Sequence, residues 1–235
     1  MSKLGIIGGL GPMATFYFCK LIVELTDVKR DQDHLEMIVY NHPSTPDRTA
    51  YILDNSLPSP VPVISTLAKK LEKDGADLIA IPCITSHCFF DEIQKSTGVT
   101  ILNLPKTLSK HLFENNVKSA AIMATSGTLK SGIFQKYLEE HNITSVLPND
   151  ETQEKIMQII YSYVKAGINP PKSIFDEIEV YFKNLGAEKI ILGCTELSVA
   201  SDFLSLSDFY TDTLAVAAKE ILNFYGLPIK NKDRK

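Results

Sequence analysis

The sequence predicts an α/β protein with two pseudo-symmetric domains, each a mostly parallel sheet flanked by helices. Three observations lead to this prediction. Short apolar runs alternate with longer amphipathic runs along the 235 residues, which is typical of parallel strands joined by helices. Two strand-and-turn motifs recur roughly 110 residues downstream. The composition, with 44% hydrophobic and 22% charged residues, is that of an ordinary globular chain.

The first half opens with a strand at Leu4–Ile7 that runs into a glycine turn. A helix follows at Pro12–Leu25, where the proline suits the first helical turn. The remaining elements follow from the same alternation of apolar and amphipathic segments. They are strands at Met37–Tyr40, Asp77–Ile81 and Thr100–Leu102, and helices at Pro60–Lys73 and His87–Lys95.

The second half repeats this order after a helix at Lys106–Glu114, beginning with a strand at Ser119–Met123. Its further elements are a strand at Lys189–Leu192 and helices at Leu129–Glu139, Gln153–Lys165, Ile174–Leu185 and Thr213–Phe224. We expect residues 1–103 plus 208–230 to form the N-terminal half and residues 104–207 the C-terminal half. The charged residues 231–235 are predicted to be a flexible tail.

The internal echo predicts where the active site lies. Gly5–Gly11 is echoed by Ala120–Gly127, and Leu78–Thr85 is echoed by Ile190–Glu196. Ligands of open α/β sheets bind outside the carboxyl ends of the strands. Two halves that face each other would bring both sets of strand ends to one cleft, so we expect the active site in the cleft between the domains.

Two of the four cysteines, Cys83 and Cys194, follow apolar strands at equivalent places in the echoed halves. A thiol at a strand end before a helix meets free backbone N–H groups, which favour the thiolate needed to remove a proton. The alternative for either cysteine alone is a buried structural thiol, which is common. The equivalent placement of the pair favours a catalytic role, whereas Cys19 and Cys88 are predicted to pack in the core.

Several other polar positions have both a functional and a structural interpretation. The glycine turn around Leu10 lacks the spacing of a dinucleotide loop, and either brings backbone close to a small ligand or is a plain turn. The segment Thr125–Thr128 can bind a carboxylate or simply cap a helix. Arg48 can clamp a carboxylate, and Lys165 can do the same or complement a helix dipole.

Charge and hydropathy exclude several classes of protein. The net charge is −4 with no basic stripe, which argues against a nucleic-acid partner, and no apolar run is long enough to span a bilayer. The N-terminus reads as a first strand and not as a signal peptide, so we expect a cytoplasmic protein with reduced thiols. No Cys-x-x-Cys spacing occurs, so neither a metal site nor a redox pair is predicted.

Six short motifs together resemble the cofactor-independent aspartate/glutamate racemase family, and in particular its aspartate racemase branch. The resemblance runs nearly from end to end, and its specificity comes from the order and spacing of the motifs. The motifs are Gly8–Thr15, Pro46–Ile52, Pro82–Cys83, Ala124–Thr128, Val164–Gly167 and Gly193–Glu196.

The resemblance implies racemisation of an acidic amino acid without pyridoxal phosphate or any other cofactor. Aspartate is the first candidate substrate and glutamate is the second. It implies that Cys83 and Cys194 form a two-base catalytic pair and that the enzyme is a homodimer. Arg48 and Lys165 match the charge partners of a dicarboxylic substrate. The other positions implied to bind substrate are Leu10, Thr85, Ser126, Gly127, Thr128 and Thr195.

One position departs from the family pattern. The usual Pro-Cys-Asn-Thr motif is Pro82-Cys83-Ile84-Thr85 in this chain, so Ile84 replaces a polar amide and is predicted to influence substrate specificity. The alternatives to a racemase are an isomerase or decarboxylase of a small diacid on the same fold, and a non-catalytic amino-acid-binding protein. A thiol redox protein is disfavoured by the missing Cys-x-x-Cys spacing.

Overall fold

The structure is a computed structural model that describes residues 2–230, so the predicted tail at 231–235 lies outside the described residues. It contains two parallel sheets with helices packed on their faces, which confirms the predicted α/β class. The first sheet has the strand order β2-β1-β3, and the second has the order β5-β4-β6-β7. The strands are β1 (Lys3–Gly8), β2 (Glu36–Asn41), β3 (Leu78–Ala80), β4 (Ser119–Met123), β5 (Thr144–Val146), β6 (Lys189–Leu192) and β7 (Tyr210–Asp212).

Helices connect successive strands and cover both sheets. The helices are α1 (Pro12–Leu25), α2 (Arg48–Leu53), α3 (Val61–Lys73), α4 (Phe90–Gln94), α5 (Leu104–Glu114), α6 (Ser126–Ser131), α7 (Ile133–Glu140), α8 (Asp150–Gln158), α9 (Lys172–Asn184), α10 (Thr195–Leu204) and α11 (Thr213–Phe224). Short 3₁₀ turns lie at Asp31–Asp33 and Ile84–Phe89, and one π-helical turn lies at Ile159–Val164. No helix within residues 2–230 is long and apolar enough to cross a membrane.

The sequence echo corresponds to a repeated strand order. In each half the first strand is central, the second pairs on one side of it, and the third pairs on the other. On its outer side the third strand pairs in parallel with a fourth segment. In the first half this segment is reduced to the single bridging residue Ile101, and in the second half it is β7. This shared order places the ends of β3 and β6 at equivalent positions of the two halves.

The hydrophobic core runs through both halves. Neighbouring residues of β1 point to opposite faces of the sheet, so Ile6 joins the large core cluster and Ile7 joins a smaller one under α3. The large cluster continues through Leu108 of α5 and Leu222 of α11 into the second sheet, where it includes Ile122. The two sheets are therefore held by one continuous apolar interior, which fixes their strand ends relative to each other.

Several predicted elements differ from those observed because backbone geometry interrupts them. The helix predicted at 129–139 is two helices, since Gly132 lies at φ +69° between α6 and α7. The helix predicted at 87–95 begins as the 3₁₀ turn at Ile84–Phe89, and the one predicted at 153–165 changes to π geometry after Gln158. The strand predicted at 100–102 is reduced to the bridge between Ile79 and Ile101.

Four elements, α2, α10, β5 and β7, were not predicted. β7 pairs with β6 in the second sheet, although the predicted division assigns residues 208–230 to the first half. The helix that follows it, α11, packs against α1 and α5 and so contacts elements on both sides of the predicted division. The domain boundaries therefore remain a prediction.

Candidate active site

Cys83 and Cys194 lie at equivalent strand ends. Cys83 is three residues beyond β3 and leads into the 3₁₀ turn, and Cys194 is two residues beyond β6 and directly precedes α10. Each is only 6% exposed. Gly193 allows the Cys194 loop to pack closely, because its N–H donates to the Met123 carbonyl at 2.7 Å and a Cβ there would lie 2.7 Å from the Phe134 ring.

The glycine turn after β1 passes against the loop that follows β2. Gly9 lies at φ +85°, and a Cβ at this position would be 2.3 Å from the His42 backbone nitrogen. Only glycine accommodates both the backbone angle and this approach. The turn thereby brings the Leu10 carbonyl to Arg48, whose Nη2 donates to it at 2.8 Å.

Arg48 is held by main-chain carbonyls. In addition to the Leu10 carbonyl, its Nη1 donates to the carbonyls of Thr45 at 3.2 Å and Pro46 at 2.9 Å. Its Nε is buried and has no partner within the described structure. Burial disfavours the charged guanidinium and by itself would lower the pKa of Arg48. The nearby Cys83, Asp47 and Glu196 outweigh this effect, so the pKa is raised. Arg48 therefore joins two loops and places a cation beside Cys83.

Glu196 lies between Lys165 and Cys194. Its Oε1 accepts from Lys165 Nζ at 2.6 Å, and its Oε2 accepts from Cys194 Sγ at 2.9 Å. The carboxylate is on the first turn of α10, and Lys165 directly follows the π-helical turn. Two elements of the C-terminal half therefore bring a cation, an anion and a thiol into direct contact.

Burial and charge act on these groups in opposite directions. The pKa of Cys194 is raised well above that of an ordinary thiol, first by burial and then by the Glu196 carboxylate. Burial lowers the pKa of Lys165, but Glu196 and the two cysteine sulfurs outweigh this effect and raise it. Because Lys165 acts on both Cys83 and Cys194, the two thiols belong to one electrostatic site.

A cluster of four buried threonine hydroxyls joins the two halves. Thr85 Oγ1 lies 3.3 Å from Thr125 Oγ1 and 3.0 Å from Thr128 Oγ1. Thr49 Oγ1 donates to Thr125 Oγ1 at 3.3 Å. Thr125 also caps α6, since its Oγ1 accepts from the Thr128 N–H at 3.2 Å. The helix-capping interpretation of Thr125–Thr128 is thus observed, and the same hydroxyls face the other half.

Replacing Thr85 by valine tests the contribution of this cluster to stability. Thr85→Val keeps the shape of the side chain but leaves buried hydroxyls short of a partner, so we expect a loss of about 1–2 kcal/mol of unfolding free energy. Urea denaturation measures this loss. Thr66→Val is the control, because Thr66 is on the exposed side of α3, where its hydroxyl donates to the Pro62 carbonyl. Equal effects of the two substitutions would contradict the expectation.

A small cavity of about 20 Å³ lies among these groups. This volume is close to that needed by one water molecule, so the side chains around it leave little free space between them. Its lining residues are Leu10, Asp47, Arg48, Thr49, Cys83, Thr85, Thr125, Tyr161 and Lys165. Both halves contribute to this lining.

The structure brings five of the predicted site residues to the cavity, namely Leu10, Arg48, Cys83, Thr85 and Lys165. Cys194 and Thr195 connect to it through Glu196, whose Oε2 accepts from Thr195 Oγ1 at 3.3 Å. The remaining predicted residues do not line it. They are Ser126, whose Oγ accepts from Gln153; Gly127, which packs on Thr49; and Thr128, within the threonine cluster.

Ile84 lies away from the cavity. Its side chain is 2% exposed and belongs to the large core cluster. The neighbouring His87 is also buried, where its Nε2 lies 3.2 Å from the Ile81 carbonyl. The structure therefore places neither side chain where it would touch a molecule in this cavity, and any influence of Ile84 on specificity would have to be indirect.

Sequence reasoning missed Glu196, Tyr161, Asp47 and Thr49 as neighbours of the site. Glu196 was visible within the Gly193–Glu196 motif, but nothing in the motif indicates that its carboxylate turns back to the cysteine two residues earlier. Tyr161 lies on the π-helical turn, a geometry that is frequent at functional sites. Among residues 2–230, no group of three or more His, Cys, Asp or Glu side chains is arranged to hold a metal ion.

Comparison with known proteins connects this geometry to a family. A family model described as Asp/Glu/Hydantoin racemase matches residues 7–221. The chain belongs to this racemase family. The resemblance found in the motifs is thereby confirmed, and so is the predicted class of enzyme, an amino-acid racemase.

Relatives of known structure or curated function cover nearly the whole of this racemase. The aspartate racemase of Picrophilus torridus is 30% identical, covers 98% of this chain and 96% of its own, and has a TM-score of 0.84. An aspartate racemase homologue from Pyrococcus horikoshii OT3 is 28% identical, with coverages of 96% and 100% and a TM-score of 0.79. The broad specificity amino-acid racemase RacX of Bacillus subtilis is 29% identical and covers 94% of this chain and 97% of its own.

Proposed function

We propose that this racemase inverts the α-carbon of an amino acid by moving a proton between Cys83 and Cys194, without a cofactor. One observation carries the proposal. The two cysteines occupy equivalent strand ends of a repeated strand order, and the charge of Lys165 acts on both. A residue from each half would thus approach the α-carbon from opposite sides.

The chemistry requires one thiolate and one thiol. The thiolate removes the α-proton and becomes a thiol, while the electron pair left on carbon spreads onto the carboxylate as an enediolate. The other thiol then gives its proton to the opposite face and becomes a thiolate. Donors must meet the enediolate charge. Thr85, whose side chain lines the cavity, is the first proposed donor. The hydroxyls of Thr128 and Thr195 and the backbone of Ser126 and Gly127 lie outside the lining, so they are proposed as donors only once substrate has rearranged the site.

The proposed substrate is an acidic amino acid, with aspartate first and glutamate second. Two cations, Arg48 and Lys165, adjoin the cavity, and a relative at 30% identity is an aspartate racemase. A second candidate is broad specificity for uncharged amino acids. It is favoured by Glu196, which already neutralises Lys165, by the carbonyls that occupy Arg48, and by the relationship to RacX.

Proton exchange in D₂O tests the proposal and its substrate together. Single enantiomers of aspartate, glutamate, alanine and lysine are incubated with the protein, and loss of the α-proton signal is followed by NMR alongside optical rotation. We expect deuterium incorporation with inversion, faster for aspartate than for alanine, because Lys165 and Arg48 attract a second carboxylate. A faster reaction with alanine would favour the broad-specificity candidate.

The same experiment distinguishes a racemase from the alternative functions. Binding without exchange would indicate an amino-acid-binding protein, and release of carbon dioxide or formation of a new isomer would indicate a decarboxylase or isomerase. Each of these outcomes contradicts a racemase. The proposal also includes a homodimer, which rests on the family resemblance, and a cytoplasmic location. Light scattering of the purified protein measures the first of these.

A further inference from the structure

Glu196 has no role in the two-base scheme, although it is in direct contact with one of the two bases. Its side chain is buried, with a residue exposure of 6%. Burying a carboxylate is unfavourable unless partners compensate for the lost water. Both of its oxygens have such partners, Lys165 Nζ at 2.6 Å and Cys194 Sγ at 2.9 Å. Because an ionised carboxylate oxygen can only accept, Cys194 is the donor in this contact when Glu196 carries its charge.

The surroundings of the two cysteines are therefore opposite in charge. Cys83 lies beside the Arg48 guanidinium, so its charged neighbour is a cation. Cys194 lies against the Glu196 carboxylate, and a neighbouring anion favours the neutral thiol. Lys165 acts on both sulfurs but is in contact with Glu196. The repeated fold is thus symmetric in its strands and asymmetric in the charges around its bases.

We propose that Glu196 is a positioning residue that holds the proton on Cys194, so that the substrate-free enzyme presents Cys83 as the base and Cys194 as the acid. This inference rests on the proposed racemase function, because it assigns the starting roles of the same two bases. It concerns the resting distribution of one proton, and it requires no group beyond those described.

The charged groups around Cys194 support this distribution. Burial and the Glu196 carboxylate raise the pKa of Cys194, whereas Lys165 acts in the opposite direction. Tyr161 on the π-helical turn also lies within electrostatic range, and burial raises its own pKa, so it stays neutral near pH 7. Among these neighbours Glu196 has the larger influence, because its carboxylate is both the nearest charge and a hydrogen-bond acceptor for the thiol.

The starting position of this proton determines how the catalytic cycle closes. One inversion transfers the substrate proton to Cys83 and removes the proton from Cys194. Cys194 is then a thiolate against the Glu196 carboxylate, and this contact is repulsive. The enzyme returns to its resting state when a proton moves back to Cys194, either by the reverse reaction with the opposite enantiomer or by exchange with water.

Alkylation of the cysteines tests the proposal without measuring racemisation. Iodoacetamide reacts with thiolates, and mass spectrometry of the digest reports the rate at Cys194 separately. At about pH 8 we expect Glu196→Gln to accelerate alkylation of Cys194 by about tenfold or more, because a contacting like charge is removed. We expect Lys165→Met to slow it several-fold. Glu177→Gln, which removes a surface partner of Lys155, is the control and should leave the rate unchanged.

The opposite signs distinguish charge from structural damage. Both site variants break the same ion pair, so a general loosening of the loop would accelerate alkylation in both of them. Equal acceleration, or no acceleration in Glu196→Gln, would overturn the proposal. If Glu196→Gln does not fold, Lys165→Met decides, because alkylation of Cys194 that is not slowed in that variant would overturn the proposal. In the wild type, alkylation at Cys194 should also keep rising above the ordinary thiol pKa of about 8.5. If the protein racemises amino acids but the pH profile of Cys194 alkylation is not shifted, only this inference is refuted. If that profile is shifted but the protein does not exchange the α-proton of any amino acid, only the proposed function is refuted.

Discussion

Replacing either Cys83 or Cys194 by serine is expected to reduce racemisation by about 10²–10⁴-fold. A serine hydroxyl nearly keeps the size of the side chain but is far too weak an acid to form the anion that removes the α-proton, or to return a proton on the same timescale. Because inversion needs one base on each face of the α-carbon, either substitution alone is sufficient. Polarimetry with a single enantiomer measures the loss.

The chain provides matched controls for this experiment in Cys19 and Cys88. Burial raises the pKa of both thiols, in Cys88 to about 11, and neither lines the cavity. Cys19→Ser and Cys88→Ser are expected to racemise at close to the wild-type rate. Each catalytic variant should retain α-proton exchange from at most one enantiomer. A Cys83→Ser or Cys194→Ser protein that racemises fully would eliminate the two-base mechanism.

Acidification from about pH 6.5 to pH 4 is expected to remove about 3 kcal/mol of unfolding free energy through His87 alone. The ring is 1% exposed, and burial lowers its pKa from 6.5 to about 4. In this window the unfolded chain binds a proton at His87 and the folded chain does not. Stability is therefore complete above pH 6.5 and is lost as the pH falls towards 4.

Urea denaturation at several pH values measures this contribution by difference. His87→Gln keeps an N–H that can reach the Ile81 carbonyl, now bonded by Nε2, but cannot be protonated. The variant should lose less stability than the wild type on acidification. His141→Gln is the control, because His141 is half-buried and stacks on Phe113, so this variant should follow the wild-type curve. If His87→Gln and the wild type lose stability in parallel, the assignment to His87 is wrong.

The sequence was sufficient to predict elements whose boundaries are set locally. α1 begins at a proline after a glycine turn, and β4 and β6 are apolar runs between charged or polar flanks, so their observed bounds match the predicted ones. α2 was missed because it emerges from a loop rich in proline, serine and threonine, although Asp47 caps it by accepting from the Ala50 N–H. β5 and β7 are only three residues long, and they are strands because they pair with a neighbouring strand.

In the candidate site, too, the sequence was sufficient only for features that are set within short segments. The echoed motifs indicated that both cysteines occupy strand ends, because that information lies within short segments. The partners of Arg48 were not accessible in this way, since the Leu10 carbonyl is 38 residues away in the chain and only the fold brings it near. The Glu196 contact depends on the direction of one side chain at the start of α10. The core position of Ile84 likewise follows from how the 3₁₀ turn packs.

The small volume of the cavity at Cys83 has a consequence for the speed of the enzyme. An amino acid has several times as many heavy atoms as the single water molecule that this cavity could hold. We therefore expect admission of substrate to involve movement of the side chains that line the cavity, and such rearrangements occur on microsecond to millisecond timescales. Under this expectation the opening of the cavity limits turnover as well as proton transfer does, and a faster base alone would not raise the rate.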